Sequence, residues 1–92
     1  VAATGRNAAV ICKQVGALAL ADSLANAAAH SGGGGLLLVI ADDAGPEFST
    51  IEVDGRLLGA ALRVPVFDVA DPASAVAAVY EGFRLSSLLG FR

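Results

Sequence analysis

The residues best suited to chemistry gather behind the middle apolar run of the chain. Asp42, Asp43, Glu47, Glu52 and Asp54 supply carboxylates, and Arg56 supplies a cation. Paired carboxylates do general acid–base work when burial raises one pKa. Nothing in the sequence marks one of these as buried, and Asp42 and Asp43 serve equally well as acids that cap a loop. Glu52 and Arg56 are four residues apart and would face each other as an ion pair on a helix. The acidic stretch Ala41-Asp42-Asp43-Ala44-Gly45-Pro46-Glu47 directly follows the apolar residues 36–40. That pattern is expected of a buried parallel strand whose carboxyl end opens into a loop. Ligands of open α/β sheets bind at that edge.

Other reactive residue types stand alone. Cys12 lies in an apolar run, where an inert buried thiol is expected, and a single cysteine builds no disulfide framework. His30 has no His or Cys cluster around it and reads as a helix-end residue favoured by the helix dipole. The glycines at 32–35 lack the Lys-Ser/Thr ending of a phosphate-binding loop and precede a strand, so a flexible connector is expected. HExxH, CxxC, GxGxxG and GxSxG are all missing, so no catalytic residue and no metal-ligand set is assigned.

The elements that must position these groups alternate in type. Residues 1–7 read as a loose segment and residues 8–12 as a strand. Residues 14–29 read as one helix, with Leu18, Asp22, Ala25 and Ala29 near helical spacing and Asp22 exposed. Residues 36–40 form the clearest strand, followed by a loop over 41–50. Ser49 or Thr50 is placed to cap a helix running through Leu57, Leu58, Ala61 and Leu62. Residues 64–69 read as a further strong strand with Pro65 at its start. Asp71 caps, and Pro72 opens, a helix over 73–89 that Gly90 stops. The order β-α-β-α-β-α predicts an α/β fold: three layers, a mostly parallel sheet with helices on both faces, and right-handed crossovers.

Composition narrows the partners. The 92 residues suffice for one domain. Hydrophobic residues make up 55% and charged ones 16%, which is apolar for so small a chain. Another domain or subunit is therefore expected to cover part of the surface, the chain being a fragment or small subunit of a larger oligomeric assembly. The net charge is −3 and the six basic residues are scattered, which argues against nucleic acid. No apolar run is long enough to span a membrane, and the cytoplasm is the expected compartment.

Taken in order, these segments resemble the pyrimidine-side domain of thiamine diphosphate enzymes, and most closely the large subunit of indolepyruvate ferredoxin oxidoreductase. The likeness is carried by Lys13, Val15 and Gly16, then Ala21-Asp22, then Gly34-Gly35-Leu36 with a strand ending Ala41-Asp42-Asp43. It continues through Ser49, Glu52, Asp54 and Arg56, then Val64-Pro65-Val66, Asp71-Pro72 and Tyr80-Glu81-Gly82-Phe83-Arg84-Leu85-Ser86, and covers residues 8–86. Departures are Gln14 where the family has His, Ser23 for a Pro, a rearranged Ala44-Gly45-Pro46 loop and Ile51 for a polar residue.

The resemblance implies a component of a 2-oxo acid oxidoreductase whose electrons pass to an iron-sulfur acceptor such as ferredoxin. Alternatives are a non-oxidative 2-oxo acid decarboxylase subunit and a non-catalytic structural or assembly domain. It implies that Lys13, Gln14, Gly16, Asp42 and Asp43 line the cofactor, and that Glu52, Asp54 and Arg56 organise the loop or a subunit contact. The family's catalytic Glu belongs to a segment with no counterpart here, and its diphosphate and magnesium site belongs to another domain. The isolated chain is therefore expected to be inactive until a diphosphate-side domain or subunit completes it.

Overall fold

A computed structural model of the chain describes residues 2–30, 32–43, 45 and 51–90. Two strands, β1 (Ala8–Lys13) and β2 (Leu36–Ala41), pair in parallel, with Ala8 opposite Leu36 and Lys13 opposite Ala41. Among the described residues four α-helices accompany them: α1 (Gln14–Ala19), α2 (Ala21–Ala29), α3 (Gly55–Leu62) and α4 (Pro72–Leu89). The fold is thus a small α/β arrangement on a two-stranded parallel sheet. No helix among the described residues is long and apolar enough to cross a membrane.

The longest element is the one with the most complete local signals. At the start of α4, the Asp71 carboxylate accepts from the Ser74 N–H at 2.8 Å, and the Ser74 hydroxyl lies 3.2 Å from the Asp71 N–H as its acceptor. This reciprocal box, with Pro72 in the first helical position, occupies donors that have no partner inside the helix. Gly90 then takes the left-handed conformation, φ 61°, that ends the helix.

Several expectations are corrected. The helix expected over 14–29 is two helices, because Leu20 leaves helical geometry at φ −90°, ψ 0°. The third helix starts at Gly55 with Asp54 as its cap; Ser49 and Thr50 lie outside the described residues. Residues 64–69 join no ladder, so the expected third strand is not formed, and among the described residues the sheet has two strands. The first residues are not loose: Ala2–Thr4 make a 3-10 turn, and the Ala2 carbonyl accepts from both Gly5 and Gly34, each at 3.0 Å. Nor is the glycine tract a slack connector. Gly34 and Gly35 are buried, and a Cβ on Gly34 would run into the Arg6 backbone. The Gly35 N–H donates to Asn7 Oδ1 at 2.9 Å, and its carbonyl accepts from Ala8 at 2.9 Å. The tract is glycine because two backbones meet there.

Packing is uneven. Ala2 and Ala17 are the buried apolar residues among those described, whereas Ile11 and Tyr80 are each 76% exposed. Helix α4 lies on β2, where Gly82 meets the Leu37 side chain, and α1, α2 and α3 contact one another. Between β2, the helices and residues 64–69 lies an apolar cavity of 480 Å³.

Candidate functional site

Parallel pairing sends both strands out in one direction, so their last residues and the following loops share one edge. Lys13 ends β1 and is also the residue before α1. Asp42 and Asp43 follow β2. The structure therefore brings Lys13, Gln14, Asp42 and Asp43 together, as expected of the carboxyl edge of a parallel sheet.

The contacts divide the two aspartates. Lys13 Nζ reaches Asp43 Oδ2 at 2.7 Å, tying the ends of the strands to each other. Their side chains are 43% and 25% exposed, so water screens much of the attraction. Asp42 Oδ2 accepts from the Gly55 N–H at 2.8 Å. That carboxylate caps the first turn of α3 from another element, where a negative charge also meets the positive end of the helix dipole. Gly55 is buried, and a Cβ there would approach Asp42 Oδ2 to 2.8 Å.

Gln14 is the most enclosed group at the edge, only 1% exposed. Its Nε2 lies 3.5 Å from the Ile51 carbonyl oxygen, at the outer limit of a hydrogen bond. Its Oε1 is buried and has no hydrogen-bond partner among the described residues. An acceptor in that state costs roughly 1–3 kcal/mol unless a donor reaches it. Gly16 sits over Cys12, so its missing side chain lets α1 approach β1.

The remaining candidates form a separate group at the start of α3. Asp54 caps the helix by accepting from the Arg56 N–H at 2.9 Å. The Arg56 guanidinium holds Asp54 at 2.8 Å and Asp68 at 3.1 Å. Hydrogen bonding to the Arg56 side chain holds the Asp54 carboxyl below the usual carboxylate range, and the same bond raises Arg56. The expected Glu52–Arg56 pair is not formed, because Glu52 precedes the helix and does not share its face. Glu47 lies outside the described residues. Sequence reasoning missed Asp68, Gly55 and the Ile51 carbonyl. Asp54 ahead of a helical pattern was a readable cap signal; Asp68 carried none, because its partner is twelve residues away.

Among the described residues no group of three or more His, Cys, Asp or Glu is placed to hold a metal ion. Cys12 is a free thiol. His30 Nδ1 lies 2.7 Å from the Asn26 carbonyl oxygen, so that nitrogen carries the proton and the ring serves the end of α2. The edge therefore gathers one buried amide acceptor, an ion pair and a capping carboxylate. No protein-family model, curated protein or solved structure matches the chain.

Proposed function

We propose that the chain is the pyrimidine-side component of a thiamine diphosphate-dependent 2-oxo acid oxidoreductase, with its ligand edge at Lys13, Gln14, Asp42 and Asp43. The observation that carries this reading is the buried, unpartnered Gln14 Oε1 at the carboxyl edge of two parallel strands. The aminopyrimidine of thiamine diphosphate presents an amine donor, which fits a buried acceptor. The diphosphate and magnesium need a cluster of anionic and polar ligands, and a partner domain or subunit would supply them. When bound, the cofactor supplies the carbon chemistry on a 2-oxo acid, and the protein positions and polarises it. Gln14 would accept from the ring amine, and the Lys13–Asp43 pair would fix the strand ends beside it. In this reading helices cover both faces of a larger sheet, and iron-sulfur clusters reside elsewhere in the complex.

Extensive exposed apolar surface, including Ile11, Val76 and Tyr80, supports a chain that works inside an assembly. A second reading, a non-catalytic assembly domain, is favoured by one observation: Lys13, Asp42, Asp43, Asp54 and Arg56 are all bonded within the chain. Calorimetric titration of the assembled complex with thiamine diphosphate and magnesium separates the two. Saturable binding that weakens at least about tenfold in Gln14→Leu, the equivalent of 1.4 kcal/mol, supports the enzyme component. Absence of binding at millimolar cofactor leaves the assembly domain. Electron transfer from a 2-oxo acid to a ferredoxin, against release of an aldehyde, distinguishes the oxidoreductase from a decarboxylase.

A further inference from the structure

We propose that the 480 Å³ apolar cavity beside β2 binds a small, flat, neutral heterocycle whose ring N–H stands next to a ring acceptor. The inference is independent of the cofactor reading, because Lys13, Gln14 and Asp43 do not line this cavity. It rests on backbone groups that face the cavity without a ladder partner, and on the apolar walls around them.

The register of the sheet shows which groups these are. Ala8 stands opposite Leu36 and donates to the Gly35 carbonyl at 2.9 Å. In a parallel ladder this turns the backbone groups of Leu37 and Val39 toward β1, and those of Leu36, Leu38 and Ile40 toward the other edge. The Leu36 N–H on that outer edge donates to Ser86 Oγ at 2.8 Å, so α4 serves the first group. The outward groups of Leu38 and Ile40 have no ladder partner among the described residues. Both residues are only partly exposed, and both line the cavity. Along this edge acceptor and donor alternate: Leu36 C=O, Leu38 N–H, Leu38 C=O, Ile40 N–H. A ring N–H beside a ring acceptor meets one such pair with two hydrogen bonds. A purely apolar ligand would cover these groups without bonding them, which costs free energy.

The other walls select for shape and charge. Residues 64–69 line the cavity but rest on the helices: Val66 lies against Gly59 of α3, and Phe67 lies near Gly82 of α4. Apolar side chains from β2, α3 and α4 complete the lining, with few polar groups among them. A space of this size and character is that of a small-molecule site, for which about 300–1,000 Å³ is usual. The cation in the lining, Arg56, is already bonded to Asp54 at 2.8 Å and Asp68 at 3.1 Å. Its charge is thus compensated, which favours a neutral ligand over an anion.

Titration of the 92-residue chain with indazole, followed in nitrogen–proton NMR spectra, tests this. Indazole carries a ring N–H next to a ring nitrogen acceptor. Indole has nearly the same shape and the N–H but lacks that acceptor. Indazole should shift the Leu38 or Ile40 amide downfield and saturably, with a Kd of about 1 mM or tighter. Indole should bind at least about tenfold more weakly. Ala78→Phe, which fills the cavity from α4, should abolish the indazole shifts. No saturable shift at Leu38 and Ile40, shifts confined to Lys13 and Gln14, or equal binding of the two compounds overturns the proposal. So does unchanged binding in Ala78→Phe. The comparison of indazole with indole decides alone if that variant fails to fold.

Discussion

Helices α3 and α4 are built in opposite ways. The start of α4 is closed by Asp71, Pro72 and Ser74, three residues within one turn, and its end by Gly90. The start of α3 needs Asp42, thirteen residues away, as well as Asp54. Its end is a non-glycine residue, Arg63, in the left-handed region. A helix whose ends are satisfied locally can be recognised and formed on its own terms. A helix capped from another element exists because the sheet edge delivers the cap. The carboxylate that would interest a ligand is therefore occupied with folding.

The largest effect that separates the two helices should come from crowding the close contact of α3. Gly59→Val forces new methyl groups against Val66 and should destabilise the chain by about 1–3 kcal/mol in urea unfolding. A neutral result would mean that residues 64–69 do not rest on α3. Next in size is Asp42→Ala, which leaves the Gly55 N–H without its acceptor and should cost about 1–2 kcal/mol. Asp71→Ala, at the exposed local cap, should lower the urea midpoint less. The reverse ranking would break the distinction between a local and a delivered cap.

The helix ends give a smaller contrast of opposite sign. Arg63→Gly should stabilise by about 0.5–1 kcal/mol by relieving the left-handed strain, whereas Gly90→Ala should destabilise by a similar amount. Thermal midpoints of the two variants check the signs. The smallest effect concerns acid. Asp54 is held below its ordinary value by the Arg56 side chain, and Asp71 mainly by the Ser74 N–H. Both carboxylates contribute fully above the ordinary carboxylate value, near pH 4, and lose that contribution as pH falls through their lower folded values. The urea midpoint should therefore drop as pH falls below about 4, and Asp54→Asn and Asp71→Asn should each flatten the drop. An unchanged acid limb in both variants would show that neither contact matters to stability.

The fold was legible where signals are local. The two strands appear at the expected residues, each one residue longer, and α4 runs from Pro72 to Leu89 as Asp71, Pro72 and Gly90 announce. The break at Leu20 was not legible, since neither glycine nor proline marks it. The glycine tract was misread because composition describes glycine's freedom, while contact with the Arg6 backbone removes it. The strand at 64–69 was read from its apolar pattern, but pairing depends on a neighbour's edge. At the candidate site, the sequence brought Lys13, Gln14, Asp42 and Asp43 to strand ends. It did not reveal that Gln14 is buried, nor that Arg56 binds Asp54 and Asp68 in place of Glu52.

The sequence by itself determined the two strands, the parallel sense of the pair, the long last helix and the gathering of acids at one sheet edge. Hydrophobic period, proline and caps act over a single turn or strand and need no distant partner. Only the tertiary structure decided what each acid does. Asp43 closes on Lys13, Asp42 serves the backbone of α3, and Gln14 Oε1 is left without a donor among the described residues. Those outcomes depend on distances between segments far apart in the chain, which spacing along the sequence does not encode.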